Sequence, residues 1–428
     1  MKTGGSQATS EQGAVASERL PRVAYFFTRF PHPTEMVLQR EVRALWRLGL
    51  RPELHSLHGG GADFEGCVVQ RFSKWLLLLL PWHLAIEWWR KPQWILRMAG
   101  LLFSSWPRDW LNYWENLFGA GAGVVLAASM RRRGVEHIHA AWASLPAMSA
   151  WVVAGLNDSR FSMGAHAYDV FEYGGDWFLA EKCAAAAFVH TETEAGRRRL
   201  MALGVPTEKI LRVRRGLDRL PPIRTCEGVS PGVLRVVCVA RLVEKKGIVQ
   251  QLRIYRVLLD RGLKLQVRIL GDGPLRRSLE RQVRENGLGK AVEFGGHLEQ
   301  QEVGRALAES DVLVHTGVVA ASGDRDGLPN VVPEAMAAGA IVVTAPGEGV
   351  LEAVEHGVTG LVCPLEDPDA WHAAFVRVRD DGDFCTAVRA RAREWVEKFF
   401  SAETNVRPLL EGFVSAGGRV GRTSRDTP

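Results

Sequence analysis

Short, wholly apolar runs recur along this chain, and longer stretches follow most of them in which apolar residues return every three or four positions. The first run is Val23 to Phe27. A polar loop, TRFPHPTE, comes next, and then VLQREVRALWRLG carries apolar residues at helical spacing and stops at Gly49. Residues 51–57 form a second strand-like run, completing one strand–helix–strand unit. Further strands are predicted at 137–142, 161–169 and 186–191, then a helix EAGRRRLMALG and a strand from Ile210. The second half repeats the alternation more cleanly. LRVVCVA, LQVRIL, VEFGG, DVLVHT and AIVVTA are separated by helical patterns, and PEAMAAG is a short helix before the last of these strands. Alternation of this kind predicts parallel sheets covered by helices, a doubly wound α/β arrangement in each half.

Residues 74–130 break the pattern. They are rich in Trp and Leu, but Pro81, Glu87, Arg90, Lys91, Arg97, Arg108 and Asp109 interrupt every apolar run. A membrane-crossing helix needs roughly 20 uninterrupted apolar residues, so no crossing segment is predicted. Two readings stay open. The stretch is a set of amphipathic helices covering the first sheet, or a surface that dips into a membrane, with Trp at headgroup depth and cations beside the phosphates.

Composition refines this picture. With 428 residues, 46% of them hydrophobic, the chain is too long for one ordinary domain. The predicted division is an N-terminal domain over 22–218 with the Trp-rich insert, a linker over 219–232 and a C-terminal domain over 233–395. A final helix over 396–416 is expected to cross back to the first domain. The tails 1–21 and 417–428 lack periodicity and are predicted to be disordered. The formal charge of +6 favours phosphates, anionic lipid or nucleic acid without choosing among them. The basic triplets at 131–133 and 197–199 lack the aromatic–basic interleaving of a nucleic-acid module, so no nucleic-acid partner is expected. None of the six cysteines forms a C-x-x-C pair or a metal-ligand spacing, which points to a reducing, cytoplasmic compartment. The N-terminus has no apolar core of a signal peptide.

Ligands of open parallel sheets sit beyond the carboxyl ends of the strands, so the loops there carry the candidate chemistry. In ARLVEKKG, Arg241 follows a strand and Lys246 precedes a helix start. Two cations there suit a diphosphate, although solvated surface residues would look the same. GDGP, with Gly271 and Gly273, is too short for a dinucleotide fingerprint and reads equally as a turn with a helix cap. GDRDGLPNVVPEAMAAG holds Asp326 and Glu334 either side of a Gly/Pro loop. Gly327 there suits close backbone approach or a positive φ, and Glu334 falls at a helix start, where the helix dipole favours an acid in any case. His166 follows a strand of the first domain and is a candidate to face the cleft. His137 and His139 alternate along one strand face and are assigned to a surface, without a third ligand for a metal.

Taken together, ARLVEKKG, ILGDGP, DGLPNVVPEAMAAGAIVVTA and EAVEHGVTGLVCPLEDPDAW resemble the retaining glycosyltransferases of family 4. RFPHPTEMVLQREVRAL, HIHAAWASLPAMSA and FSMGAHAYDVF resemble the bacterial exopolysaccharide subgroup of the colanic acid and amylovoran type. The likeness spans roughly residues 22–400. It implies a GT-B fold, two facing Rossmann-like domains, and retaining, metal-independent transfer from a UDP- or GDP-sugar. The nucleotide-sugar is a co-substrate, with no separate cofactor. The resemblance matches Arg241 and Lys246 to the diphosphate-binding pair and Glu334 to the acid that holds the ribose. It sets Asp326 where an acid, usually Glu, contacts the transferred sugar. Gly271 and Gly273 join the donor site, as do Gly327, Leu328, Pro329 and Asn330, while His166 lies near sugar and acceptor. Asp326 departs from the family by one methylene. Asp324 and Asp326 spell D-R-D but fall inside the acidic motif, so no metal site is read. The resemblance further implies a lipid-linked saccharide acceptor and peripheral attachment to the inner face of the cell membrane, an anionic surface. A catalytically idle protein of the same fold, binding sugar nucleotides or scaffolding an assembly complex, satisfies the same motifs.

Overall fold

The structure, a computed structural model, describes residues 19–107, 109–221 and 232–417. The predicted disorder of residues 1–18 and 418–428, and the linker assignment over 222–231, lie outside the described residues.

Eight strands form the first sheet: β1 (Val23–Phe27), β2 (Glu53–Ser56), β3 (Asp63–Phe64), β4 (Cys67–Arg71), β5 (His137–Ala140), β6 (Arg160–Gly164), β7 (Phe188–Thr191) and β8 (Ile210–Arg212). Their order is β3-β4-β2-β1-β5-β6-β7-β8, parallel except for the β3/β4 pair. The second sheet contains β9 (Leu234–Val239), β10 (Leu265–Leu270), β11 (Val292–Gly296), β12 (Val312–His315), β13 (Ile341–Thr344) and β14 (Leu361–Val362), ordered β11-β10-β9-β12-β13-β14 and wholly parallel. Strand order reverses beside β1 in one sheet and beside β9 in the other. Those switch points are where an open sheet leaves a crevice.

The two domains are tied at their ends. Helix Gly382–Phe399 buries Cys385, Val388, Ala392 and Val396 against the second sheet. Helix Ala402–Gly417 then places Val406, Leu409 and Phe413 in the core of the first, among Tyr25, Phe27 and Phe188. The crossing falls at Phe400–Ser401 rather than at 396, because Phe400 is itself core of the second domain. Gly216 lies against this crossing so tightly that a β carbon would meet the Ala402 nitrogen at 2.2 Å.

The Trp-rich insert folds as a 3-10 turn, Lys74–Leu79, and three helices, Leu80–Arg90, Pro92–Ser104 and Trp110–Arg132. The second half of the long helix is core. Gly119 and Gly123 let it approach helix Leu145–Asn157 until a β carbon on either would stand 2.7 Å from a carbonyl oxygen of that helix. Trp94 is also packed, with its indole against Gly155. The remaining Trp side chains of the insert face outward.

His137 and His139 correct the expectation of a surface position. Both are buried, and both ring edges meet the Ser162 hydroxyl, at 2.6 and 2.7 Å. His190 stacks on His139, and His166 meets His190 edge-on. Loss of hydration disfavours an imidazolium there, and burial pushes His137 and His190 down to about 3, helped by the Arg160 and Arg215 charges respectively. A histidine with a depressed folded pKa binds fewer protons folded than unfolded below pH 6.5, so folding weakens as pH falls from about 6.5 towards 3. Glu35 and Glu115, lifted by burial to about 7, act in the opposite sense between about 7 and their unfolded values. Comparison of wild type with His190→Phe cancels these carboxylates. The variant is expected to lose about 1.4 kcal/mol less per pH unit below pH 6 in denaturant unfolding; parallel pH profiles would show that His190 titrates normally.

Candidate active site

Loops at the carboxyl ends of β9 and β10 are pressed together by two glycines. A β carbon on Gly271 would lie 1.9 Å from the Ala240 carbonyl oxygen, and one on Gly273 would lie 2.6 Å from that of Leu242. Backbone hydrogen bonds close the contact, from Leu242 to Asp272 at 2.9 Å and from Leu275 to Leu242 at 3.1 Å. Above them opens a cleft of about 640 Å³, lined by Arg241, Gly271, Asp272, His297 and Glu334 and, from the first domain, by His32, Met36 and Gln39. Arg241 is exposed in it and has no carboxylate partner among the described residues. Glu334 is in the first turn of helix Val331–Ala338. Its Oε1 accepts a hydrogen bond from Arg40 Nη1 of the first domain at 2.8 Å, and both side chains are largely buried.

A second charged group sits behind the loop that links Asp324 to Asn330. Lys246 Nζ donates to Asp326 Oδ2 at 2.6 Å, Lys245 Nζ lies 2.8 Å from Asp324 Oδ2, and His315 Nε2 is 3.6 Å from Asp326. Burial alone would raise the Asp326 carboxyl; Lys246, His315 and Lys245 together outweigh it and hold the group well below the usual carboxylate range. Asp326 and Gly327 line a second cavity of about 440 Å³ with His315, Phe171 and Glu348. The acidic pair named from the sequence therefore divides, Glu334 to one cavity and Asp326 to the other. The two named cations divide likewise, Arg241 in the larger cleft and Lys246 bound to Asp326.

Gly327 serves close approach rather than a positive φ, since its φ lies outside the left-handed region. A β carbon there would stand 2.6 Å from Glu192 Oε1. Beyond it Leu328 is buried, the Pro329 carbonyl accepts from the Val332 N–H at 2.9 Å, and Asn330 begins the helix with its Oδ1 buried and unpartnered.

The His166 ring is buried against Trp142 and His190, and it lines neither cavity. Sequence reasoning passed over a buried first-domain charged group whose Glu192 packs against Gly327. Arg215 Nε donates to Glu192 Oε2 at 2.7 Å and stands 3.8 Å from Glu41. Arg325 lies over the Phe171 ring at 4.9 Å, and the Tyr173 N–H donates to the Ser322 carbonyl across the domain boundary. The one sequence signal for Arg40 and Glu41 was their place between Leu38 and Val42, on the buried face of helix Met36–Arg47.

The family model described as glycosyl transferases group 1 matches residues 227–395, so the chain carries such a domain over most of its second half. The amylovoran biosynthesis glycosyltransferase AmsK of Erwinia amylovora is 32% identical over 215 residues, 50% of this chain and 53% of that protein. The putative colanic acid biosynthesis glycosyltransferase WcaL of Escherichia coli K12 is 36% identical over 216 residues, 49% of this chain and 52% of that protein. The matched stretch thus spans about half the length of these curated relatives. The crystal structure of HepE from Anabaena with UDP and glucose superposes with a TM-score of 0.67 at 17% identity, covering 92% of this chain and 100% of that one. The fold is therefore GT-B, and the likeness to amylovoran- and colanic-acid-type glycosyltransferases read from the motifs is matched by these relatives.

The Arg40–Glu334 pair joins the two domains through buried charge. Arg40→Met and Glu334→Gln should each lower stability, while the double variant loses less than their sum. A coupling of about 2 kcal/mol is expected from a double-mutant cycle in urea; additivity within about 0.5 kcal/mol would show that the contact carries no energy.

Proposed function

We propose that this chain is a retaining hexosyltransferase that moves a sugar from a UDP- or GDP-sugar to a saccharide acceptor in cell-surface polysaccharide assembly. One observation carries the proposal: Arg241, Gly271 and Glu334 converge on an interdomain cleft at the carboxyl ends of β9 and β10, and Arg241 has no carboxylate partner among the described residues. In this reading Arg241 takes the diphosphate, assisted by backbone N–H groups of the Gly271–Gly273 loop, and Glu334 exchanges Arg40 for the ribose hydroxyls. The sugar lies along Asp326 to Asn330, where Asn330 Oδ1 awaits a partner. The bond from the anomeric carbon to the diphosphate oxygen breaks, the acceptor oxygen bonds to that carbon on the same face, and the acceptor's proton passes to the departing diphosphate. Cations of the protein stabilise the developing charge, so the reaction runs without metal. The relatives named for amylovoran and colanic acid biosynthesis, and the HepE complex with UDP and glucose, support this choice of chemistry.

Titration calorimetry in EDTA is the direct test. Wild type should bind UDP or GDP, and Arg241→Ala should bind it about 2 kcal/mol more weakly, roughly thirtyfold, the usual loss of a charge-assisted contact. Equal affinity in both proteins, or binding that needs added Mg, would remove Arg241 from the role.

The acceptor is proposed to be lipid-linked and met at the cytoplasmic face of the inner membrane. No helix among the described residues is long and apolar enough to cross a membrane. Helix Leu80–Arg90, however, exposes Trp82 (68%), Trp88 (45%) and Trp89 (86%), with Arg90 on the same helix and Arg97 on the next. Indoles of this kind settle at headgroup depth, and each nearby cation adds about 1 kcal/mol at an anionic surface. In flotation, the wild type should rise with phosphatidylglycerol vesicles, less at high salt but not to zero, since apolar burial survives screening. Replacing Trp82, Trp88 and Trp89 by Ser should cut flotation several-fold and leave the melting transition and nucleotide affinity intact. An unchanged variant would exclude this helix from the contact.

A further inference from the structure

The helical insert encloses a cavity of about 590 Å³ that sugar transfer does not use. Leu80, Trp94, Met98, Leu102 and Phe118 line it, and Gly121 and Val124 of the long helix form its floor. The lining offers almost nothing to a polar or charged ligand. Two of its wall residues, Phe103 and Trp114, are 85% and 59% exposed, so the cavity opens on the same surface as the outward-facing indoles. Its size is that of a site for one small apolar ligand, and hydrocarbon is the chemistry its walls accept.

The charges on the insert indicate what carries that hydrocarbon. Lys74, Arg90 and Arg97 are exposed on the insert. Of the insert's acids, Glu87 is buried and paired with Arg90 and with Arg131, the latter at 3.0 Å, Asp109 caps the long helix, and Glu115 is half-buried. The exposed charges described on the insert are thus cationic and share it with an apolar opening, complementary to a molecule with an anionic head and an aliphatic tail. A second copy of the chain fits poorly, because facing inserts would bring Lys74, Arg90 and Arg97 against their own kind.

We propose that this cavity takes one acyl tail of an anionic bilayer phospholipid, drawn in between Phe103 and Trp114 while the headgroup stays among the insert's cations. The site would convert surface adsorption into a hold on a single lipid. It rests on the membrane-surface reading for its lipid source and is independent of the donor site.

Two arms test it. In solution without vesicles, 11-(dansylamino)undecanoic acid should bind the full chain saturably at one site with blue-shifted emission. Ala99→Trp and Leu102→Trp, which fill the cavity from helix Pro92–Ser104, should each weaken this at least tenfold, with melting curves establishing that they fold. On phosphatidylglycerol vesicles carrying a diazirine in the acyl chain, crosslinks should map to Met98, Leu102 and Phe118. In Ala99→Trp they should vanish there while flotation persists. Equal probe binding by the folded variants, or crosslinks confined to Trp82, Trp88 and Trp89, would overturn the proposal. A dimer that the probe dissolves would assign the cavity to a second copy and also overturn it. Tight probe binding without any flotation would sink the membrane reading and the lipid source with it, while leaving nucleotide binding untouched.

Discussion

The interdomain site is arranged around a close approach at Gly327. The residue is held between the Glu192 carboxylate on one side and Gly349 on the other, where a β carbon on Gly349 would meet the Gly327 carbonyl oxygen at 2.2 Å. The loop passes through this gap. Its preceding residues then fall beside Lys245 and Lys246, and its following helix turns Glu334 towards Arg40. Buried ions are costly unless paired, and each here has a partner within reach: Asp324 with Lys245, Asp326 with Lys246, and Glu192 with Arg215.

That pairing separates groups that are filled from one that is open. Asp324 and Asp326 already have their cations in Lys245 and Lys246. Arg241 stands apart, exposed in the larger cleft. Glu334 is intermediate, since its partner Arg40 comes from the other domain. In the proposed reaction this difference divides labour: the Lys245–Lys246 group shapes the loop against the sugar, while Arg241 and Glu334 bind what enters.

Much of the fold was legible because parallel strands buried on both faces read as unbroken apolar runs. Val23–Phe27 and Leu234–Val239 are strands where such runs stand, and Gly49 and Gly339 end helices as the pattern indicates. The β3/β4 hairpin was missed because a strand of two residues carries no period. The Trp-rich insert resisted a single reading for a physical reason. Its long helix is core from Gly119 to Val125 but exposes Trp110 and Trp114 one to three turns earlier, so both readings describe part of it. Arg40 and Glu334 are 294 residues apart, and no local pattern reports such a pair. His166 follows its strand as expected, but the direction of its ring is set by Trp142 and His190, which only the packed sheet reveals.

The central claim is that the cleft beside Arg241 holds the diphosphate of a sugar nucleotide and that Glu334 is released to it. A crystal structure of the chain grown with UDP or GDP tests this most directly. The account requires the diphosphate against Arg241 and the Gly271–Gly273 loop, with Glu334 turned from Arg40 to the ribose. Nucleotide seated instead in the cavity of Asp326 and His315, or Glu334 still bound to Arg40 beside an occupied cleft, would contradict it.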